Sequence, residues 1–230
     1  MLYEHIFFDL DHTLWDFEAN SKEAFFELYD KYKLSERGIR SMDEFLSHYF
    51  LINEKLWDDY RKGIIVKHQL RYDRFHLAFE KFGINDAQLT TNFSDDYVNS
   101  APYKTNLFPH AIETLEYLKE KYILHIVTNG FEEVQYLKMK NTNLDKYFSQ
   151  IITSERSGFK KPDIRMFEFS LNEAKADKTK SLMIGDSLEA DIIGARNAGL
   201  NQVYFNPHQN AHEEDVTHEI RSLKELVGLL

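Results

Sequence analysis

Residues 5–15 read HIFFDLDHTLW, and this stretch decides the fold. Ile6, Phe7 and Phe8 form an apolar run of strand type. The run delivers two carboxylates two positions apart, Asp9 and Asp11, and then the hydroxyl of Thr13. Carboxylates gathered at the end of a buried strand lose hydration and repel one another, so a compensating charge is required. A hard cation such as Mg²⁺ suits an all-oxygen ligand set.

The 230 residues suffice for one large domain, or for one domain carrying an inserted one. Hydrophobic content of 43% and charged content of 29% are those of an ordinary globular chain. The apolar run Ile123 to Val127 is broken by His125 and is too short to span a bilayer, and the N-terminus lacks a signal-peptide pattern, so a cytoplasmic protein is expected. With no cysteine, disulfides, a thiol nucleophile and thiolate zinc sites are excluded. The net charge of -10 argues against a nucleic-acid polymer or an anionic membrane as the main partner. A small anionic substrate remains compatible if its site is locally positive. Oligomeric state leaves no mark in the sequence.

From Asp16 to about Ala101 no strand is expected. Asn20 with Glu23, and Ser41 with Glu44, look like capping boxes opening two helices, the second bearing the stripe Phe45, Tyr49, Ile52 and Leu56. A third helix is expected over Lys67 to Phe82, with Gly83 just past its end, and a fourth over Asp86 to about Ser100. After Pro102 the period changes. A helix from Pro109 carries Ile112, Leu115 and Leu118, and a strand from Tyr122 ends in Thr128, Asn129 and Gly130. A helix to about Lys140 and a strand over Gln150 to Thr153 lead to Lys160, Lys161 and Pro162, with Pro162 expected at a helix start. The strand Ser181 to Ile184 ends in Gly185 and Asp186, and a helix from Glu189 closes at Ala198 with Gly199. Gln202 to Phe205 reads as the last strand and about Ser222 to Leu230 as a terminal helix.

Strands alternating with helices imply an α/β fold: a doubly wound, mainly parallel, Rossmann-like sheet, with an all-helical cap inserted after the first strand. The expected division is a catalytic core of 1–15 and 102–230 and a cap of 16–101. Ligands of such sheets bind beyond the carboxyl ends of the strands. Asp9, Asp11, Thr128, Lys161 and Asp186 all fall there, and the insertion leaves from the same edge, where it is placed to act as a lid.

This set suits phosphoryl transfer. A Mg²⁺ held by Asp9, a backbone carbonyl near Asp11, and Asp186 would screen the approach of a carboxylate to a phosphate dianion. Lys161 adds positive charge, while the Thr128 hydroxyl and the N–H groups of Asn129 and Gly130 could hold phosphoryl oxygens. Asp11 could protonate the leaving oxygen and later take a proton from water. The result is a two-step path through an aspartyl phosphate.

The ordered motifs DLDHT (9–13), TN (128–129), KKP (160–162) and GDSLEAD (185–191) resemble those of the haloacid dehalogenase superfamily of phosphohydrolases. The resemblance implies Asp9 as nucleophile, Asp11 as general acid/base, Thr128 and Lys161 as phosphate-site residues, Asp186 as metal ligand and Asp191 as a further acid supporting the metal site. Dehalogenating members generally lack an acid at the position of Asp11, so its presence favours phosphate esters. DLDHTLWDFEANS is similar to the nucleoside monophosphate phosphatases acting on pyrimidine nucleotides, which implies a 5′-nucleotidase using a small phosphorylated metabolite. His12 and His110 are departures, since relatives often carry Gly at both. A sugar-phosphate phosphatase or phosphoglucomutase of the same superfamily is the alternative within the enzymes. Receiver domains also join a phosphorylatable Asp, Mg²⁺, Thr and Lys, but they are roughly half this length and lack both a large helical insertion and an analogue of Asp11. Trp15, Phe17, Trp57 and Tyr60 suit either packing or an aromatic wall for a base.

Overall fold

A computed structural model describes residues 2–230. The chain divides into two compact units, Met1–Phe17 with Thr105–Leu230, and Glu18–Lys104. The divisions fall a few residues beyond 15/16 and 101/102.

The second unit is helical: α1 (Phe17–Lys31), α2 (Met42–Arg61), α3 (Lys67–Glu80) and α4 (Ala87–Ser100). Ser41 caps α2 by accepting the Glu44 N–H at 3.2 Å, and Asp86 caps α4 by accepting the Leu89 N–H at 2.9 Å. The box expected at Asn20 is absent. α1 begins earlier, at Phe17, and Asn20 is buried inside it, because an Asn-x-x-Glu pattern fits a helix interior as readily as its start. The core of this unit is aromatic. Phe25 lies at the middle of it, with ring centroids 4.6 Å from Tyr49, 4.9 Å from Tyr97 and 5.7 Å from Phe45, distances at which offset and edge-on pairs add to the burial energy.

The first unit is a parallel sheet of β1 (His5–Phe8), β2 (Ile123–Thr128), β3 (Phe148–Thr153), β4 (Ser181–Gly185), β5 (Asn201–Phe205) and β6 (His218–Ile220), in the order β3-β2-β1-β4-β5-β6. β1 is central and wholly buried, with Phe8 beside Ile126 on one side and Ile184 on the other. Successive side chains of β1 serve opposite layers. Ile6 and Phe8 pack with Leu115 and Leu118 of α5 (Ala111–Lys119) and Met139 of α6 (Glu132–Asn141). Phe7 packs with Met166 and Phe167 on the other face. Those two residues belong to α8 (Ile164–Ala174), which follows the single turn α7 (Ser154–Ser157). His125 is accommodated by stacking on Phe7, ring centroids 4.7 Å apart, and by a 3.0 Å contact with His5. Burial, then the neighbouring His5, lowers its pKa to about 4, so it stays neutral.

Several expected elements differ in detail. Pro162 precedes a helix whose cap is Asp163, and the Lys161–Pro162 bond is cis. The helix expected from Pro109 begins at Ala111. Its buried face is Ala111, Thr114, Leu115 and Leu118, while Ile112 is exposed, because Thr114 turns inward to donate to the Leu223 carbonyl. The helix expected from Glu189 is a π-helical turn over Leu188–Ile193 followed by α9 (Gly194–Ala198). A strand follows the one expected to be last. β6 is a three-residue edge with only Ile220 buried, too short to show a period. The terminal helix reduces to a 3₁₀ turn and α10 (Leu226–Leu229). Among the described residues no helix is long and apolar enough to cross a membrane.

His12 and His110 both have left-handed backbones, φ 62° and 68°, conformations that glycine adopts without the steric penalty borne by other residues. His110 is exposed and makes no side-chain capping bond. His110→Gly should therefore stabilise the fold by about 0.5–1 kcal/mol, read as a higher urea midpoint at unchanged m-value.

Candidate active site

β1 and β4 are neighbours at the point where the strand order reverses, and the crevice beyond their carboxyl ends receives Asp9 and Asp186. Lys161 comes from the loop between α7 and α8 and holds this crevice together. Its Nζ donates to Asp9 Oδ1 at 2.6 Å, to Asp191 Oδ1 at 2.6 Å and to the Val127 carbonyl at 2.7 Å. Three acceptors match the three N–H bonds of an ammonium. Burial alone would favour neutral lysine, but Asp191 and Asp9 raise its pKa above the ordinary lysine value and keep it charged. Asn129 fixes its backbone: the Asn129 Nδ2 donates to the Lys161 carbonyl at 2.9 Å and the Lys161 N–H to Asn129 Oδ1 at 2.8 Å.

Asp9, Asp186 and Asp191 each offer an oxygen, all within 4.8 Å of one another. Asp186 accepts from the Thr13 hydroxyl at 3.0 Å, and Asp191 from the Ser187 N–H at 3.1 Å. Burial, with the Asp191 charge next, pushes Asp186 up to about 7. For Asp9, burial dominates over the pull of Lys161 and carries it well above the usual carboxylate range. Three carboxylates facing one ammonium leave the site short of positive charge, and the donor set is entirely oxygen. That combination fits a hard divalent cation.

Asp11 faces other partners. Lys138 Nζ donates to its Oδ1 at 2.5 Å and Gln135 Nε2 to its Oδ2 at 2.9 Å. Burial works against ionisation, but Lys138 and Gln135 prevail and hold its carboxyl below the usual range. Its carboxylate is thus apart from the cluster of three acids, whose third member is Asp191.

The expected cradle at Thr128, Asn129 and Gly130 is arranged differently. The Gly130 N–H donates to Thr128 Oγ1 at 3.0 Å, Gln135 Nε2 donates to the same oxygen at 2.7 Å, and the Asn129 side chain is occupied by the Lys161 backbone. The next helix starts only at Glu132, after a Phe131 cap, so these N–H groups do not form its first turn.

Residues 3–199 match the family model of haloacid dehalogenase-like hydrolases. The chain belongs to that family. This hydrolase is 30% identical to the pyrimidine 5′-nucleotidase YjjG of Escherichia coli, over 100% of this chain and 99% of the relative. It is 33% identical to the pyrimidine 5′-nucleotidase PynA of Streptococcus pneumoniae, over 100% and 96% respectively. Among solved structures, the magnesium-bound HAD-hydrolase YfnB of Bacillus subtilis superposes with a TM-score of 0.89 at 28% identity, covering 100% of this chain and 99% of that one.

Two residues of this hydrolase's site escape sequence reasoning, Gln135 and Lys138. They lie three apart on α6 and so share a face. The signal available was negative: α6 lacks an apolar stripe, and its buried residues are Gln135, Lys138 and Met139. The π-helical turn also left no trace. Asp191 and Ile192 both donate their N–H to the Ser187 carbonyl, at 2.9 and 3.2 Å, and the widened turn lets Asp191 reach Lys161 and Ser187 together. A Cβ at Gly185 would lie 2.2 Å from Asp191 Oδ2, so the end of β4 must be glycine for Asp191 to occupy this place.

The raised pKa of Asp186 has a measurable sign. Between its ordinary value near 3.8 and about 7, the folded hydrolase holds a proton that the unfolded chain has lost. Stability from this group is therefore full below about pH 4 and is lost as pH rises towards 7. Asp186→Asn removes the effect. In chelator, the variant should gain on the parent by up to about 1.4 kcal/mol per pH unit across this window, measured by urea unfolding at pH 5 and 7.

Proposed function

We propose that this hydrolase is a Mg²⁺-dependent phosphomonoesterase acting on 5′-nucleoside monophosphates through an aspartyl phosphate on Asp9. The observation that carries the reading is the separate support of the two acids of the first motif: Asp9 rests on Lys161, and Asp11 on Gln135 and Lys138. Two carboxylates so close in sequence, yet bonded to different cations, are suited to different tasks.

A phosphate ester bound as its monoanion passes its proton to Asp11, which Lys138 and Gln135 keep ionised in the free protein. Asp9 attacks phosphorus through a carboxylate oxygen and the ester oxygen departs, taking that proton from Asp11. Asp11, now ionised, accepts a proton from the water that attacks the aspartyl phosphate, which frees phosphate and restores Asp9. Lys161 holds Asp9 in place and fixes Asp191. With all its protons engaged, it acts through these acids and not as a direct phosphate ligand. Thr13 and Ser187 orient Asp186 and Asp191. Asp9 and Asp186, with Asp191 beside them, would hold Mg²⁺, whose positive charge would let an anionic carboxylate meet an anionic phosphoryl group. The nucleotide preference is supported by the two full-length relatives named for pyrimidine 5′-nucleotidase activity.

Phosphate release from a panel of nucleoside monophosphates and sugar phosphates tests the reading. Pyrimidine nucleotides should lead, release should cease in chelator, and Asp9→Asn should abolish turnover while retaining the native circular dichroism spectrum. A clear preference for sugar phosphates would remove the nucleotidase assignment, and an active Asp9→Asn would remove the mechanism.

A further inference from the structure

We propose that Gln135 and Lys138 form a two-point clamp that positions Asp11 for proton transfer to the leaving group, a reading that rests on the phosphatase mechanism above. A carboxylate joined to its chain by one rotatable side-chain bond and a freely turning carboxyl plane needs two directional contacts to fix both angles. Asp11 receives one on each oxygen, from Lys138 at 2.5 Å and from Gln135 at 2.9 Å.

The two donors are themselves held rigidly. Gln135 is fully buried and its Nε2 also donates to Thr128 Oγ1 at 2.7 Å, which ties the clamp to the end of β2. Lys138 is 5% exposed, and its ammonium stands 4.1 Å above the Trp15 ring, a cation–π contact that is strengthened by loss of water. The indole thus serves as the base on which the lysine stands. Gly130 makes room for the arrangement, since a Cβ there would lie 2.3 Å from Gln135 Nε2.

A purely structural role explains these features poorly. Apolar side chains of similar volume in place of Asp11, Gln135 and Lys138 together would fill the same space at equal or better stability, and the Gln135 Oε1 is enclosed without a hydrogen-bond partner, itself unfavourable. What the arrangement gains is a fixed carboxylate. The clamp residues act through Asp11 and are positioning residues.

The proposal makes a claim about leaving groups. Loss of the clamp should matter where the departing oxygen needs a proton and matter little where it does not. The variants Lys138→Met, Lys138→Arg and Gln135→Leu are compared with the parent, each checked for native circular dichroism. For each, kcat/KM is measured with p-nitrophenyl phosphate, whose leaving phenol is acidic, and with a nucleoside monophosphate, whose leaving alcohol is not. This ratio reports the steps up to the first irreversible one, the departure of the leaving group. Lys138→Met and Gln135→Leu should lose about 10²-fold on the nucleotide and only a few-fold on the aryl ester, while Lys138→Arg, which keeps a cationic donor, should stay within a few-fold of the parent on both. Equal losses on the two substrates, no loss on either, or an arginine variant as impaired as the methionine one would each overturn the clamp. If Lys138→Met does not fold, Gln135→Leu alone decides by the same split. A parent protein inactive on both esters would overturn the phosphatase reading and the clamp with it. An active parent with uniformly impaired variants overturns the clamp alone.

Discussion

An ammonium with three fixed acceptors governs this site. Lys161 can be buried only because Asp9, Asp191 and the Val127 carbonyl surround it, and those acids can approach each other only because the ammonium lies between them. Removing either side would leave a buried charge uncompensated, which typically destabilises by about 3–5 kcal/mol. Much local detail follows from this mutual dependence. Asn129 must grip the Lys161 backbone, the turn after β4 must widen for Asp191, and Gly185 must carry no Cβ.

The balance is incomplete by design. Three acids surround one lysine, and the surplus appears in the raised pKa values of Asp9 and Asp186. Asp11 escapes it because Lys138 supplies a second, separate cation. The crevice therefore holds two electrostatic environments: Asp9, Asp186 and Asp191 share one ammonium and are short of positive charge, while Asp11 is neutralised by a lysine of its own.

How much of this was legible in the sequence depended on the kind of signal. The parallel sheet and the helical insertion were readable, because the buried strand Ile6–Phe8 and the stripe through Phe45 and Tyr49 follow simple periods. Asp9, Thr128 and Asp186 were readable as residue types at the ends of strands, and Lys161 as a lysine in a loop after one. β6 was not, because three residues with one buried side chain make no pattern, and the early start of α1 was hidden behind a false cap at Asn20. Gln135 and Lys138 were hidden for another reason. Polar residues on a helix read as a solvated face, and only the three-dimensional arrangement reveals that these two point inward at Asp11. His12 and His110 were readable as departures from glycine, and the left-handed backbone supplies the physical meaning.

The pairing of β1 bears on how the molecule is made. His5 stands opposite Ile123 on one side and Ser181 on the other, so the strand that leads into Asp9 emerges from the ribosome before both its neighbours and waits for them. The helical unit, a continuous segment from Glu18 to Lys104, is complete before either neighbour exists, and its contacts are local enough to form early. Asp9 can therefore take its place against Lys161 and Asp191 only after both have been synthesised, long after the helical unit is complete.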